Sequence, residues 1–142
     1  MRPHRYSTAL LIVVGLSLFA CSKQPPLVAS DVVINEALPG QMMTAGYLTL
    51  RNNSDAAIRI SSVSSPEFGA VEMHETQISD GIARMRAVDE LVVAPQSSVK
   101  FERGGLHLML MRPSGDRNVS LNFYQGDALL LSITTPVTPR DN

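Results

Sequence analysis

Short apolar or alternating stretches, separated by turn residues, follow one another along the chain from residue 32 onwards. The turns are rich in Gly, Pro, Asn, Asp and Ser. Many short strands at regular spacing, with no long stretch of helical period, predict an all-β sandwich or barrel. The candidate strands are residues 32–37, 46–51, 57–63, 70–76, 83–88, 91–93, 98–102, 106–111, 119–124 and 128–136.

The first twenty residues have the pattern of an export signal. Arg2 and Arg5 give a basic start, and residues 9–20 are then almost wholly apolar. A basic segment, a short apolar segment and a small residue before the cleavage point are typical of secretory signals. The apolar segment has about twelve residues, whereas a membrane-spanning helix needs roughly twenty. We therefore expect residues 1–20 to be removed as a signal peptide.

Residues 18–21, Leu-Phe-Ala-Cys, end this signal and resemble a bacterial lipobox. The resemblance implies that Cys21 is acylated through its sulfur and becomes the mature N-terminus. Its acyl chains would then anchor the protein to a membrane, with the folded domain in the periplasm. Ser22 follows the cysteine in place of Asp, which in such lipoproteins indicates the outer rather than the inner membrane. The alternative is an ordinary signal peptide followed by an incidental cysteine.

The composition of the chain excludes several kinds of site. Cys21 is the only cysteine, so an intrachain disulfide, a CxxC redox pair and a blue-copper centre are excluded. The formal net charge is −1, and removal of Arg2 and Arg5 takes it to −3, which gives no electrostatic reason to bind nucleic acid. Residues 21–31 are interpreted as the lipidated cysteine and a tether, and residues 32–142 as one folded domain.

Two histidines, His74 and His107, lie outside the signal. Side chains alternate between the two faces of a strand. By this alternation the leucines of residues 106–111 form the core face of their strand, and His107 and Met109 point away from it. In residues 70–76, His74 likewise takes the face opposite to the apolar one. Both histidines are therefore expected outside the main core.

Methionine is unusual on a solvated sheet face, where Thr, Lys, Glu or Ser is expected. Side chains at i and i+2 stand about 6.6 Å apart along a strand, so His107 and Met109 can converge on one ion. Neutral imidazole and thioether donors favour Cu(I) over Zn(II), Mg(II) or Ca(II). The alternative is a methionine-rich patch buried under a loop or a second layer, and for Met111 packing is the preferred interpretation. Glu72 and Glu75 flank His74 and would reduce the net positive charge of an occupied site, but the preferred interpretation is that they are solvated surface acids.

The two histidines take part in a longer motif. The spacing His, ten residues, Met, twenty-one residues, His, one residue, Met is met by His74, Met85, His107 and Met109. This spacing resembles the motif of the periplasmic copper(I) chaperones of the PCuAC family. The segments around the histidines also resemble the ligand strands of that family, and the likeness covers about residues 32–137.

The resemblance implies a cupredoxin-like Greek-key β-sandwich that binds one Cu(I) per chain through His74, Met85, His107 and Met109. It also implies delivery of copper to the copper A subunit of a cytochrome c oxidase, directly or through a thiol-bearing copper-transfer protein. The chain has no tryptophan, although many relatives have one. It also ends without the His/Met-rich tail of some relatives, so a second, copper(II)-type site is not expected.

Three non-enzymatic functions remain open at this point. The protein is a copper chaperone, a periplasmic copper buffer or resistance lipoprotein without a specific acceptor, or a structural lipoprotein whose His and Met are incidental. A metal titration separates the third from the others, and transfer to an acceptor separates the first two. An enzyme is not expected, because no histidine is left for a Ser-His-Asp arrangement once the metal is bound.

Lipidation at Cys21 is tested by metabolic labelling. Labelled palmitate should enter the wild-type protein and should be absent from Cys21→Ser, because the chain has no other cysteine. Equal labelling of the two proteins would contradict the lipobox interpretation.

Overall fold

A computed structural model describes residues 24–139 of the chain. In this range there are eleven β-strands and no helix. The strands are β1 (Leu27–Asn35), β2 (Met43–Asn52), β3 (Ile58–Ile60), β4 (Ser62–Ser64), β5 (Phe68–Ser79), β6 (Ile82–Ala87), β7 (Leu91–Val93), β8 (Ser98–Phe101), β9 (Leu106–Pro113), β10 (Asn118–Gln125) and β11 (Ala128–Thr138). The predicted signal peptide and Cys21 lie outside the described residues. Between residues 24 and 139, no helical segment has the length and apolar character needed to cross a membrane.

Nine strands form one sheet, with β1, β11, β10, β4, β5, β9, β2 and β8 side by side and β6 added at β5. The strand β1 pairs with β2 along most of its length and with the end of β11, so the sheet closes on itself. The register of β1 against β2 shifts between Ser30 and Val33, and such a shift bends a strand locally. The predicted all-β, cupredoxin-like Greek-key sandwich is confirmed.

The core fills the inside of the closed sheet. In β2 and β10 every second residue is buried, which is the burial pattern of a sheet with one inner face. Leu108 and Leu110 are fully buried in this core, as the alternation in residues 106–111 predicts. The buried apolar residues are Leu27, Ile34, Leu48, Leu50, Ile60, Val63, Val71, Met73, Val93, Phe101, Leu108, Leu110, Val119, Leu121 and Phe123.

The folded domain begins earlier than predicted. The strand β1 starts at Leu27, five residues before the predicted start at residue 32, so the interpretation of residues 21–31 as a tether is wrong for its last part. Leu27 is 1% exposed and pairs with Asn52 of β2. The two prolines before it suggested a linker, but the carbonyl of Pro26 accepts a hydrogen bond from the backbone of Asn53. Proline lacks a donor and keeps its acceptor, so it can flank a strand.

The single strand predicted over residues 57–63 is wrong, because the chain changes sheets at Ser61. The short strand β3 pairs with β7 in a small second sheet, whereas β4 pairs with β10 and β5 in the large one. The backbone N–H of Ser61 donates to the carbonyl of Tyr124, which anchors the point of change. The alternation also changes phase at this point, because Ile58 and Ile60 are followed by two serines before Val63. This change was the sign of the break in the sequence.

A carboxylate takes the place of a missing strand partner at the end of β4. The pairing of Asn122 with Ser64 would, if continued, bring Pro66 opposite Ser120. Instead Glu67 accepts the backbone N–H of Ser120 at 2.9 Å and the hydroxyl of Ser65 at 2.9 Å. Partial burial by itself raises the pKa of Glu67, but these hydrogen bonds outweigh it and hold the pKa below its ordinary value.

The lowered pKa of Glu67 makes its contribution to stability depend on pH. The charged form stabilises the fold above the ordinary pKa of a glutamate, and this stabilisation is lost as the pH falls through the lowered pKa. At pH 7, Glu67→Gln should lower the free energy of unfolding by about 1 kcal/mol. In urea denaturation, this difference should shrink below about pH 4. A difference that stays constant down to the acid limit of folding would contradict the role of the charge.

Candidate metal centre

The pairing of β5 with β9 brings the two histidines together. In this antiparallel ladder His74 lies directly opposite His107, although 32 residues separate them in the chain. Directly opposite residues in antiparallel strands place their side chains on the same face of the sheet. The two imidazole ring centres are 6.1 Å apart and the ring planes are tilted by 54°.

The two methionines of the motif lie on the same face as the histidines, on either side of them. Met109 is two residues beyond His107 on β9, and its partners are Glu72 on β5 and Ala45 on β2. Met85 lies on β6 opposite Thr76 of β5. Three adjacent strands, β6, β5 and β9, therefore present all four predicted donors on one face.

The four side chains differ strongly in exposure. His107 is only 8% exposed, whereas Met85 is 56% exposed on the edge strand β6. His107, Met109 and Met85 line a pocket of about 310 Å³. The remaining walls of this pocket are Met43, Thr44, Ala45, Tyr47, Thr76, Arg103 and Gly104.

The face of β9 that carries His107 lies outside the leucine core but is covered by other parts of the chain. The side chain of His107 points away from the leucine core, as predicted, but it is covered on that side. Among the residues around its pocket, Tyr47 belongs to β2 and Arg103 to the turn before β9. Alternation along one strand identifies the face of a residue, but the cover comes from segments that are distant in the sequence or outside the strand.

Hydrogen bonds fix the orientation of both imidazoles. The Nδ1 atom of His107 lies 2.9 Å from the backbone carbonyl of Gly105. The Nε2 atom of His74 lies 2.8 Å from Oε2 of Glu72, two residues earlier on the same face. The Nδ1 atom of His74 is buried and has no hydrogen-bond partner within residues 24–139. Glu72 is exposed, as expected for a surface acid, but its carboxylate also contacts His74, and the spacing of two residues along one strand was the signal for this contact.

The donor set is consistent with a soft metal ion. A metal–nitrogen bond of about 2 Å puts each imidazole centre about 3 Å from the ion, so two rings on one ion lie about 5–6 Å apart. The observed 6.1 Å is close to this range. In residues 24–139, no three His, Cys, Asp or Glu side chains come together as a metal cluster. The thioethers of Met85 and Met109 are further donors on the same face, and thioether favours Cu(I).

The methionines outside the motif have other positions. Met73 is 4% exposed in the core, as predicted from the alternation of its strand. Met111 shares the face of Met109 but lies one step further along β9, between Met43 and Ala70. Met111 is thus close enough to serve as a control for Met109 and lies outside the walls of the pocket.

A larger pocket, of about 690 Å³, lies at the other end of β9 and contains no histidine or methionine in its walls. It is lined by the ends of β1, β9 and β11 and by the loop before β10, and Glu67 and Arg117 are among its walls. Residues 107 and 113 of β9 are about 20 Å apart in an extended strand. Size alone would favour this pocket as the functional site, but three of the four predicted donors, Met85, His107 and Met109, line the smaller one. His74 is not among the walls of the smaller pocket and joins the other donors through its pairing with His107.

Comparison with known proteins adds a family and a fold. The model of a family described as lipoprotein LpqE-like matches residues 27–137, which include nearly all of the described strands. The protein RP573 of Rickettsia prowazekii (strain Madrid E), described as uncharacterized, is 31% identical over 81 residues. The aligned part is 56% of this chain and 45% of RP573, so the chain spans less than half of the length of that curated relative.

Solved structures with the same fold include a copper-bound domain and a protein solved in its apo form. The copper-bound PCuAC domain from PmoF2 has a TM-score of 0.65 at 19% identity, covering 81% of this chain and 94% of that domain. The solution structure of apo-DR1885 from Deinococcus radiodurans has a TM-score of 0.59 at 22% identity, covering 99% of this chain and 95% of that one. At these identities the likeness shows the fold, and the PCuAC-type resemblance predicted from the motif is confirmed.

Proposed function

Since the chain belongs to the LpqE-like family of lipoproteins, we propose that it is a copper(I)-binding metallochaperone. In this proposal, one Cu(I) is carried as cargo by His74, Met85, His107 and Met109. The observation that carries the proposal is the placement of these two imidazoles and two thioethers on one face of three adjacent strands. The similarity of the fold to a PCuAC domain solved with copper bound supports it.

The chemistry of the four donors supports Cu(I) over other biological metals. Imidazole and thioether are neutral ligands, and thioether is a soft donor that Mg(II), Ca(II) and Zn(II) bind poorly. The partner of His74, Glu72, adds one negative charge beside the proposed ion. The bound ion and this carboxylate together would be neutral, which lowers the cost of holding a cation at a partly buried position.

The exposure of the donors supports a role in transfer. Met85 is the most exposed of the four, and it lies on β6, which in the described sheet pairs only with β5. An acceptor ligand can therefore approach from this side and replace Met85 before the buried His107 releases the ion. Thiolate adds negative charge and softness, so Cu(I) moves from imidazole and thioether ligands to a cysteine-containing site with a fall in free energy.

The acceptor in this proposal is the copper A subunit of a cytochrome c oxidase, or a thiol-bearing protein that passes copper to it. The lipid on Cys21 would hold the donor in the periplasm. The alternative is a periplasmic copper buffer or resistance lipoprotein without a specific acceptor. One observation favours the alternative: Ser22 indicates the outer membrane, whereas the oxidase is in the inner membrane.

Copper binding is tested by competition with a Cu(I) chelator. The protein should bind one Cu(I), and His107→Ala and Met109→Leu should each weaken binding by at least about tenfold, equivalent to about 1.4 kcal/mol. Leucine has nearly the volume of methionine, so Met109→Leu should fold normally.

The matched control for Met109→Leu is Met111→Leu, which removes a thioether from the same face of the same strand. Its affinity for Cu(I) should equal that of the wild type. If Met109→Leu and Met111→Leu bind Cu(I) equally well, the proposed ligand set is wrong. Zinc should bind far less well than Cu(I) to the wild type.

Transfer is tested with the Cu(I)-loaded protein and a purified, metal-free copper A domain. Copper should move to the acceptor, and the acceptor should show the absorption of its copper centre after addition of the second copper and an oxidant. Deletion of the gene should lower oxidase activity under copper limitation, and added copper should restore it. Normal oxidase activity together with lower copper tolerance would support the buffer instead.

A further inference from the structure

We infer that Glu72 is a positioning residue that makes His74 bind copper through Nδ1, whereas His107 binds through Nε2. The inference rests on the proposed function, because it concerns the way in which two proposed ligands hold the ion. It assigns a role to Glu72, which lies outside the four-residue motif, and different donor atoms to the two histidines.

The hydrogen bonds of His74 determine which of its nitrogens carries the proton. The Nε2 atom lies 2.8 Å from the carboxylate of Glu72, which accepts hydrogen bonds. The proton of a neutral imidazole therefore lies on Nε2, and the lone pair lies on Nδ1. That Nδ1 atom is buried without any partner among the described residues, which is rare for a buried polar atom. A metal ion would satisfy this lone pair.

The hydrogen bond of His107 places its proton on the other ring nitrogen. Its Nδ1 atom lies 2.9 Å from the carbonyl oxygen of Gly105, which also accepts only. The proton lies on Nδ1, and Nε2 is left with the lone pair. His107 lines the pocket that also contains Met85 and Met109, so its Nε2 is the atom available to an ion there.

The contact with Glu72 orients the ring of His74 before copper arrives. The side chain of His74 is 15% exposed and that of Glu72 is 50% exposed, so the carboxylate reaches the imidazole from the solvent side. A carboxylate on the outer nitrogen of a ligating histidine fixes its tautomer and makes the free nitrogen a stronger donor. Loss of such a partner typically weakens metal binding by about 10–100-fold.

A neighbouring glutamate provides a matched control. Glu75 lies three residues further along β5, on the opposite face, and accepts a hydrogen bond from Gln77 at 2.9 Å. Glu75 is exposed, carries the same charge as Glu72 and lies at nearly the same sequence separation from His74. An effect of charge alone would therefore appear in a variant of Glu75 as well, whereas an effect of contact with His74 would not.

The test is long-range proton–nitrogen NMR on the ¹⁵N-labelled, metal-free protein and after anaerobic addition of Cu(I). Before addition, His74 should be protonated at Nε2 and His107 at Nδ1. On addition, the Nδ1 resonance of His74 and the Nε2 resonance of His107 should shift, and both protons should remain. Shifts at Nε2 of His74 would overturn the inference and leave copper binding intact. If neither histidine responds, the inference falls together with the proposed function.

Variants test the role of the carboxylate itself. In Glu72→Ala, His74 should populate both tautomers in the metal-free protein, and Cu(I) affinity should fall by about tenfold or more. Glu72→Gln keeps an acceptor oxygen and should partly restore the single tautomer of His74 and the Cu(I) affinity. Glu75→Ala should have the wild-type tautomer and the wild-type affinity. A single unchanged tautomer of His74 in Glu72→Ala would overturn the positioning role.

Discussion

The pairing register of β5 with β9 is the constraint on which the proposed copper site depends. It places His74 opposite His107 and Glu72 opposite Met109, all on the face away from the core. Because side chains alternate along a strand, a slip of one residue in either strand would turn its ligands into the core and its apolar residues outward. The buried Leu108 and Leu110 oppose such a slip, so the hydrophobic core also fixes the position of the donors.

The two ends of the proposed site serve different purposes. His107 is almost fully buried and held by the turn before its own strand, through the carbonyl of Gly105. Met85 lies on an edge strand and is half exposed. A rigid, covered ligand at one end and an accessible, uncharged ligand at the other suit a protein that must both retain an ion and release it to a partner. A fully enclosed site would retain the ion but block the approach of an acceptor.

The sequence predicted the faces of the strands well, because alternation is a local property. It placed Met73 and Leu108 in the core and His74 outside it, as the structure has them. It did not show that His107 is covered, because residues of β2 and of the preceding turn form much of its pocket. The alternation along β6 could not show that Met85 lies beside the histidines, because this depends on the pairing of β6 with β5. Met85 was therefore predicted only from the resemblance of the motif spacing. The contact of Glu72 with His74 was missed, although two residues on one face of a strand are near neighbours.

X-ray absorption spectroscopy of the Cu(I)-loaded protein identifies the atoms bound to the metal and so tests the proposed ligands themselves. Two nitrogen and two sulfur neighbours are expected around each copper. One sulfur should be lost in Met85→Leu and in Met109→Leu, and no change is expected in Met111→Leu. A shell of nitrogen and oxygen alone, or an unchanged number of sulfur neighbours in both Met85→Leu and Met109→Leu, would contradict the proposed ligand set.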